Sequence, residues 1–274
     1  MTQHAAQFIA LHGQKSSLIL DVGCETPQII YWRAKLSEQS TGDMMRALRL
    51  RQEAPVSPIE ELNLCITPTS GQGFIGLPGL SLRGEQDQWA ANPLLTKVVQ
   101  DSARGIEVVV RIELDVESDV LTFNTTVNNI NSQTVTIDWC SAATIPTPND
   151  FDQIVGFEGH WAGEFQQHSL DAFFGSYVRE NRRGKTSHDS YPALLLHPKT
   201  TNQAQGEAYG FHLGWSGNHK IVAEKMADGR SYVQMGELLF PGEINLTQGQ
   251  SYQTPTLFAS FTDQGLSVLS QQFH

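Results

Sequence analysis

The sequence predicts an all-β fold: a large antiparallel sandwich of two sheets, with one short helix at the C-terminus. Three observations carry this. Short runs rich in Val, Ile, Thr and Phe recur along most of the 274 residues, a composition that suits a pleated, half-buried surface. Gly (23) and Pro (12) punctuate those runs, as turns between short strands require. Only one late segment spaces its apolar residues as a helix does. A chain of this length buries about three quarters of its unfolded surface, so a large core is available.

The elements follow in order. Ser16–Val22 and Gln28–Ala34 alternate as an opening strand pair, broken by Thr26-Pro27. Asp43–Gln52 reads as a short helical turn with Asp43 as its cap. Pro55, Pro58, Pro68, Pro78 and the glycines between Gly71 and Gly84 then mark a long irregular region, and loops of this length are commonly functional or interfacial. Leu94–Asp101, Gly105–Val116, Val120–Asn129 and Thr134–Ile145 read as a meander with turn residues at each junction. Connections this short predict antiparallel pairing of neighbours.

Pro146–Phe151 is a break. Beyond it, strand-like pieces fall near Phe157–Phe165, Phe173–Arg179, Tyr191–Leu196, Glu207–Trp215, Ile221–Met226, Tyr232–Leu238, Gly242–Leu246 and Tyr252–Phe261. In Gly206–His219, the period of two puts Tyr209, Phe211, Leu213 and Trp215 on one face. The other face carries Ala208, Gly210, His212 and Gly214, so little side chain that close approach by another backbone or a ligand is expected. Ser216-Gly217-Asn218 is turn chemistry, and the run after His219 predicts a hairpin partner. Leu266, Leu269 and Phe273 fall at helical spacing, with Asp263 placed to cap.

Charge and cysteine usage exclude several roles. A formal net charge of −11 argues against a nucleic-acid partner and against an anionic membrane surface. Cys24, Cys65 and Cys140 are too few and too scattered for a disulfide framework or a zinc knuckle, and read as buried thiols. Met1-Thr-Gln-His-Ala-Ala lacks the basic and apolar regions of a signal peptide, and no run of about 18 apolar residues exists. A cytoplasmic protein is expected.

Several chemical motifs match only in outline. Gly71-Gln-Gly-Phe-Ile-Gly76 has the dinucleotide spacing, but Leu77-Pro78-Gly79 stops the helix that the phosphates need. Ser187-His188-Asp189 places three triad residue types side by side, where they cannot aim at one another in series. Asp138, Glu158, Glu164 and Glu207 show no pairing in their spacing. His160, His188, His212 and His219 read as hydrogen-bonded structural groups and not as a metal set. Trp139 and Trp215, in strands, read as core. Trp161, among small residues in Gly159–Gly163, is the best surface aromatic for stacking on a sugar.

The stretch Gly206-Glu-Ala-Tyr-Gly-Phe-His-Leu-Gly-Trp-Ser-Gly-Asn-His219 resembles the N-terminal β-domain of the bacterial α-galactosidases of glycoside hydrolase family 36. Gly159-His-Trp-Ala-Gly-Glu-Phe-Gln166, Arg183-Gly-Lys-Thr-Ser-His-Asp189, Gly236-Glu-Leu-Leu-Phe-Pro-Gly-Glu243, Ser251-Tyr-Gln-Thr-Pro255 and Gly265–His274 agree in order. The resemblance implies a β-supersandwich, shaped like the galactose mutarotase sandwich, over residues 1–264. It makes residues 265–274 the start of a helical linker to a (β/α)₈ barrel missing from this chain, so a truncated piece is expected, with the helix's apolar face left exposed. The family's two catalytic carboxylates sit in barrel motifs that this sequence lacks, so no catalytic residue is assigned.

The resemblance implies no cofactor and no metal. It implies three kinds of partner: the parent's own barrel, further copies in a homo-oligomer, and the galactoside substrate through the parent enzyme. The parent reaction would be retaining hydrolysis of terminal α-galactosides such as the raffinose sugars. Trp161, Arg183, His188, Gly76 and Arg83 are the candidates for the substrate rim or carbohydrate contact, the last two because a family loop reaches toward a neighbour's active site. Two alternatives stay open: a free-standing carbohydrate-binding sandwich and a mutarotase-like aldose epimerase.

Overall fold

The computed structural model describes residues 7–23, 27–37, 44, 64–84, 94–95, 99–101, 105–172 and 174–274. The helix expected at Asp43–Gln52, Cys24, Trp89, and Pro55 and Pro58 of the irregular region lie outside the described residues, apart from Met44.

The strands run β1 (Phe8–His12), β2 (Ser16–Asp21), β3 (Gln28–Ala34), β4 (Leu80–Arg83), β5 (Leu94–Leu95), β6 (Val99–Asp101), β7 (Ile106–Asp115), β8 (Val120–Asn129), β9 (Val135–Cys140) and β10 (Thr144–Thr147). They continue with β11 (Gln153–His160), β12 (Gly163–Asp171), β13 (Gly175–Asn181), β14 (Ala193–His197), β15 (Ala208–Leu213), β16 (His219–Lys225), β17 (Ser231–Glu237), β18 (Ile244–Leu246), β19 (Ser251–Gln253) and β20 (Leu257–Thr262). The α-helix α1 (Leu266–Gln272) lies at the C-terminal end of the described residues.

Every ladder is antiparallel. One layer is a ten-stranded sheet in the order β12-β11-β14-β15-β20-β8-β7-β6-β5, with β19 also paired to β8. The facing layer is three smaller sheets: β1-β2-β3, β10-β17-β16-β13 and β18-β9-β4. The all-β sandwich is as expected, with its second layer divided.

The core lies between the layers because alternate residues of the large sheet point inward. Register puts Tyr209 opposite Phe261, Phe211 opposite Ala259 and Leu213 opposite Leu257. On the next strand pair, Leu257 stands opposite Phe123 and Ala259 opposite Leu121. These residues meet Trp32 of β3, and Ile221, Val233 and Met235 of the four-stranded sheet, in one buried cluster. The Trp32 and Tyr209 rings are 4.7 Å apart, and the Tyr209 hydroxyl donates to the Trp32 carbonyl. A second cluster, including Val108, Val127, Ile137 and Leu246, fills the gap to β18-β9-β4. Each large side chain so buried contributes roughly 1.5–3 kcal/mol.

Several expectations are corrected. The fourth strand of the expected meander leaves its neighbours: β9 pairs with β4 and β18. Both edges of β8 are already taken, by β7 on one side and by β20 and β19 on the other. The Asn129 side chain then holds the crossing segment by donating to the Gln133 and Leu246 carbonyls. The expected Phe157–Phe165 strand is a hairpin instead, folding back between β11 and β12.

The hairpin expected between β15 and β16 does not form either. β15 pairs with β14 and β20, while β16 pairs with β13 and β17 in the opposite layer. Trp215 therefore sits past the end of β15 at the crossing, 36% exposed, and outside the core. Trp139, by contrast, is buried as expected.

At the C-terminus, α1 starts at Gly265, whose φ is 85° and which gives no side-chain cap; Asp263 does not cap it. The helix folds back over its own sheet, so its apolar face is not exposed. Leu269 is buried, and a Cβ on Gly210 would stand 2.8 Å from the Phe273 ring and 3.3 Å from Leu269. This is the close approach that the bare face of β15 called for. Cys65 and Cys140 are buried, and burial pushes the Cys140 thiol up to about 12. Among the described residues no helix is long and apolar enough to cross a membrane.

Candidate functional site

Trp161 stands at the edge of the large sheet, with His188 near enough to the adjacent Glu164 to act on its charge; Arg183 lies five residues before His188 on the same segment. Trp161 and Ala162 form the tip of the β11–β12 hairpin, and Ala162 adopts a φ of 62°. The two arms touch because both flanks are glycine: a Cβ on Gly159 would fall 2.3 Å from the Gly163 carbonyl oxygen. At this tip the Trp161 indole is 83% exposed. Glu164 accepts the Ala162 N–H at 3.0 Å. Its own backbone N–H and that of Ala162 hold this carboxyl below the usual range, and nearby His188 and His160 add to the effect.

His188 and Arg183 belong to the segment between β13 and β14, which is strapped to the crossing after β15. The Gly184 N–H donates to Asn218 Oδ1 at 2.7 Å, and Thr186 donates through its N–H to the Ser216 carbonyl at 2.5 Å and through Oγ1 to the Trp215 carbonyl at 2.9 Å. Beneath lies buried His219, 3.3 Å from Ser190 Oγ and 3.3 Å from the Gly217 carbonyl. Burial lowers its pKa, and the Arg179 charge lowers it further against the opposing Gly217 bond.

Ser187–His188–Asp189 is no triad. Ser187 Oγ is 3.3 Å from His188 Nδ1, but the Asp189 carboxylate pairs with Arg183 at 2.8 Å and its carbonyl accepts from Arg179 at 2.9 Å.

Gly76 and Arg83 are placed elsewhere. Gly76 belongs to a loop laid on the four-stranded sheet: the next residue, Leu77, donates its N–H to Glu224 at 2.9 Å, and the Tyr232 hydroxyl bonds the same carboxylate. A Cβ on Gly76 would meet that hydroxyl at 2.6 Å. Arg83, on β4, forks onto Asp138 of β9 with contacts of 2.5 and 2.7 Å.

The four acids singled out in the sequence go to different partners. Asp138 takes Arg83, Glu158 lies 3.7 Å from His168, Glu164 takes the hairpin tip and Glu207 pairs with Arg33 at 3.0 Å. Glycoside hydrolysis needs two carboxyl groups flanking one bond. A hollow at the sandwich edge, lined by Phe151, Tyr177, Leu196 and Glu224 among others, measures about 30 Å³. That is room for a water or two, far below the several hundred Å³ of a ligand pocket. Among the described residues no group of three or more His, Cys, Asp or Glu is placed to hold a metal.

One surface feature was not read from the sequence. On the outer face of the large sheet the Tyr191 and His212 rings stack, 5.2 Å apart at 14°. The edges of Phe165 and Phe157 close on Tyr191 at 5.1 and 6.1 Å, and Phe258 continues the row from His212 at 6.4 Å. The signal was the lone His on the bare face of β15. Its partners come from three separate segments that no periodicity links.

Residues 91–247 match the Glycosyl hydrolase family 36 N-terminal domain. An alpha-galactosidase of Escherichia coli is 31% identical over 98% of this chain and 39% of its own length. Alpha-galactosidase AgaA of Geobacillus stearothermophilus is 30% identical over 73% of this chain and 27% of its own. A solved alpha-galactosidase from Lactobacillus brevis superposes with a TM-score of 0.85 at 19% identity, covering 99% of this chain and 42% of that one. A variant of the Geobacillus AgaA, solved in complex with raffinose, gives 0.84 at 20% identity, with 98% and 42% covered. The chain thus spans well under half the length of these relatives.

Proposed function

The chain belongs to glycosyl hydrolase family 36 through that family's N-terminal domain, and from this premise we propose that it is the non-catalytic β-supersandwich of an α-galactosidase. The parent reaction is retaining hydrolysis of terminal α-galactosides of the raffinose type. The domain packs against a catalytic barrel elsewhere in the parent, contributes to a homo-oligomer in the cytoplasm, and shapes the active-site rim. The observation that carries this reading is the dispersal of the acids. Asp138, Glu158, Glu164 and Glu207 each have their own partner, while the relatives that match are alpha-galactosidases more than twice as long.

Trp161 is the rim element in this reading, an exposed aromatic face with His188 near its neighbour Glu164, and Arg183 on the same segment as His188 is the second rim candidate. Arg83 ties two neighbouring strands of one sheet through Asp138, and Gly76 lets its loop pack on the four-stranded sheet. The test is hydrolysis of a chromogenic α-galactoside. Residues 1–274 alone give background rates and the full-length protein turns over. Turnover by residues 1–274 that disappears when one of their own carboxylates is changed to the amide would overturn the reading.

The exposure of Trp161 also favours a second reading, a carbohydrate-binding sandwich. Calorimetry with galactose and raffinose separates the two: it requires heat of binding with the isolated chain, lost in Trp161→Ala.

A further inference from the structure

The outer face of the large sheet is covered in two parts. Over Gly206–Gly210 lies α1. Its Leu266 and Ser267 amides bond the Asn202 and Gln203 carbonyls near the start of β15, and at its far end the Phe273 ring sits on Gly210. The helix therefore runs along β15 in the strand's own direction, and its C-terminus points at the next outward residue, His212.

From His212 onward no helix or strand among the described residues is packed over the face as α1 is. Instead the aromatic row begins: His212 stacked on Tyr191, Phe165 and Phe157 edge-on to Tyr191, and Phe258 beside His212. Gly214 borders the row, where a Cβ would touch the Phe258 ring at 2.9 Å. None of these five aromatic residues belongs to the buried clusters of the sandwich. Phe165 adopts a φ of 55°, a left-handed conformation uncommon for a bulky residue, and its ring is 56% exposed. Backbone strain that turns an apolar ring toward solvent is not explained by the stability of this domain alone.

We propose that this aromatic row is the docking face for the polypeptide that follows α1 in the full-length protein, seated there by the first segment beyond residue 274. The inference rests on the reading that the catalytic part lies outside residues 1–274. It commits to that occupant for two reasons. The solved relatives continue for more than half of their length outside the matched part. The direction of α1 also delivers the next residues onto His212 and Tyr191.

Hydroxyl-radical footprinting tests this on residues 1–274 and on the full-length protein. In the full-length protein, Phe165 and Tyr191 should be modified at least about five-fold more slowly, as burial at interior packing density implies. Ile75 and Ile130, exposed away from the row, should react equally in both. Phe165→Asp, which suits the left-handed backbone, should leave the melting of residues 1–274 unchanged and lower that of the full-length protein. Equal modification rates in the two chains overturn the proposal. So does protection that disappears on dilution, which assigns the row to a second copy. α-Galactosidase activity of the full-length protein is scored separately, so failure of the functional reading and failure of the docking face are told apart.

Discussion

Gly210 lies directly beneath the ring of Phe273: a Cβ there would stand 2.8 Å from Phe273 Cε2. The bare face of one strand and the apolar face of one helix are thus a matched pair. Gly210→Val forces the helix off its seat. The expected cost is about 1–3 kcal/mol, typical of overpacking. Urea unfolding measures it, and hydrogen exchange should show amides of α1 losing protection before those of β15.

Asp119 ties the β1–β2 hairpin to the turn between β7 and β8. Its buried carboxylate accepts from the Lys15 N–H at 3.0 Å, the Ser16 N–H at 3.1 Å and Ser16 Oγ at 3.0 Å. Its φ of 58° suits Asp or Asn. Asp119→Ala leaves buried donors unpaired and should cost about 2–4 kcal/mol, with Asp119→Asn milder. An unchanged denaturant midpoint for the Ala variant would refute this.

Stability should fall on mild acidification. Burial lowers the pKa of His219 and of His212 below the ordinary 6.5. Each is held neutral in the folded state and protonates more readily when unfolded. Their contribution is therefore complete above about pH 6.5 and is lost as pH drops through the lowered folded values. His219→Gln removes one of the two titrations, so the slope of stability against pH between 6.5 and 5 should flatten. Chemical denaturation at half-unit intervals checks this.

The tryptophans divide sharply. Trp161, 83% exposed, should tolerate Ala within about 0.5 kcal/mol, as surface positions do. Trp32 is packed on Tyr209 and Phe211, and Trp32→Ala should cost about 3–5 kcal/mol. Thermal melts of the two variants provide the comparison.

Much of this fold was legible because alternation reports which side chains share a face. Tyr209, Phe211 and Leu213 were read correctly as one buried row, and Gly210 as a point of close approach. Alternation does not report which strand lies alongside. β15 and β16 therefore read as a hairpin, although turn 214–218 carries the chain from one layer to the other. Gly159 and Gly163 read as strand residues, because small side chains serve strands and tight turns alike. The face of α1 was visible in Leu266, Leu269 and Phe273, but nothing in their spacing says that the helix returns to its own sheet. Of the candidate site, the exposed Trp161 was legible from its small neighbours. The Tyr191–His212 stack was not, since it joins residues 21 positions apart in two elements.

The placement of β8 has a consequence for how the protein is made. One neighbour, β7, immediately precedes it, but the other, β20, ends only at Thr262. At ordinary elongation rates the ribosome takes roughly 7–27 s to travel from Asn129 to that point. Throughout that interval the nascent chain presents a bare ten-residue strand bearing Leu121, Phe123 and Val127. A holdase at the exit tunnel should find its binding site there, and codon choice between residues 130 and 262 should govern how long it is needed.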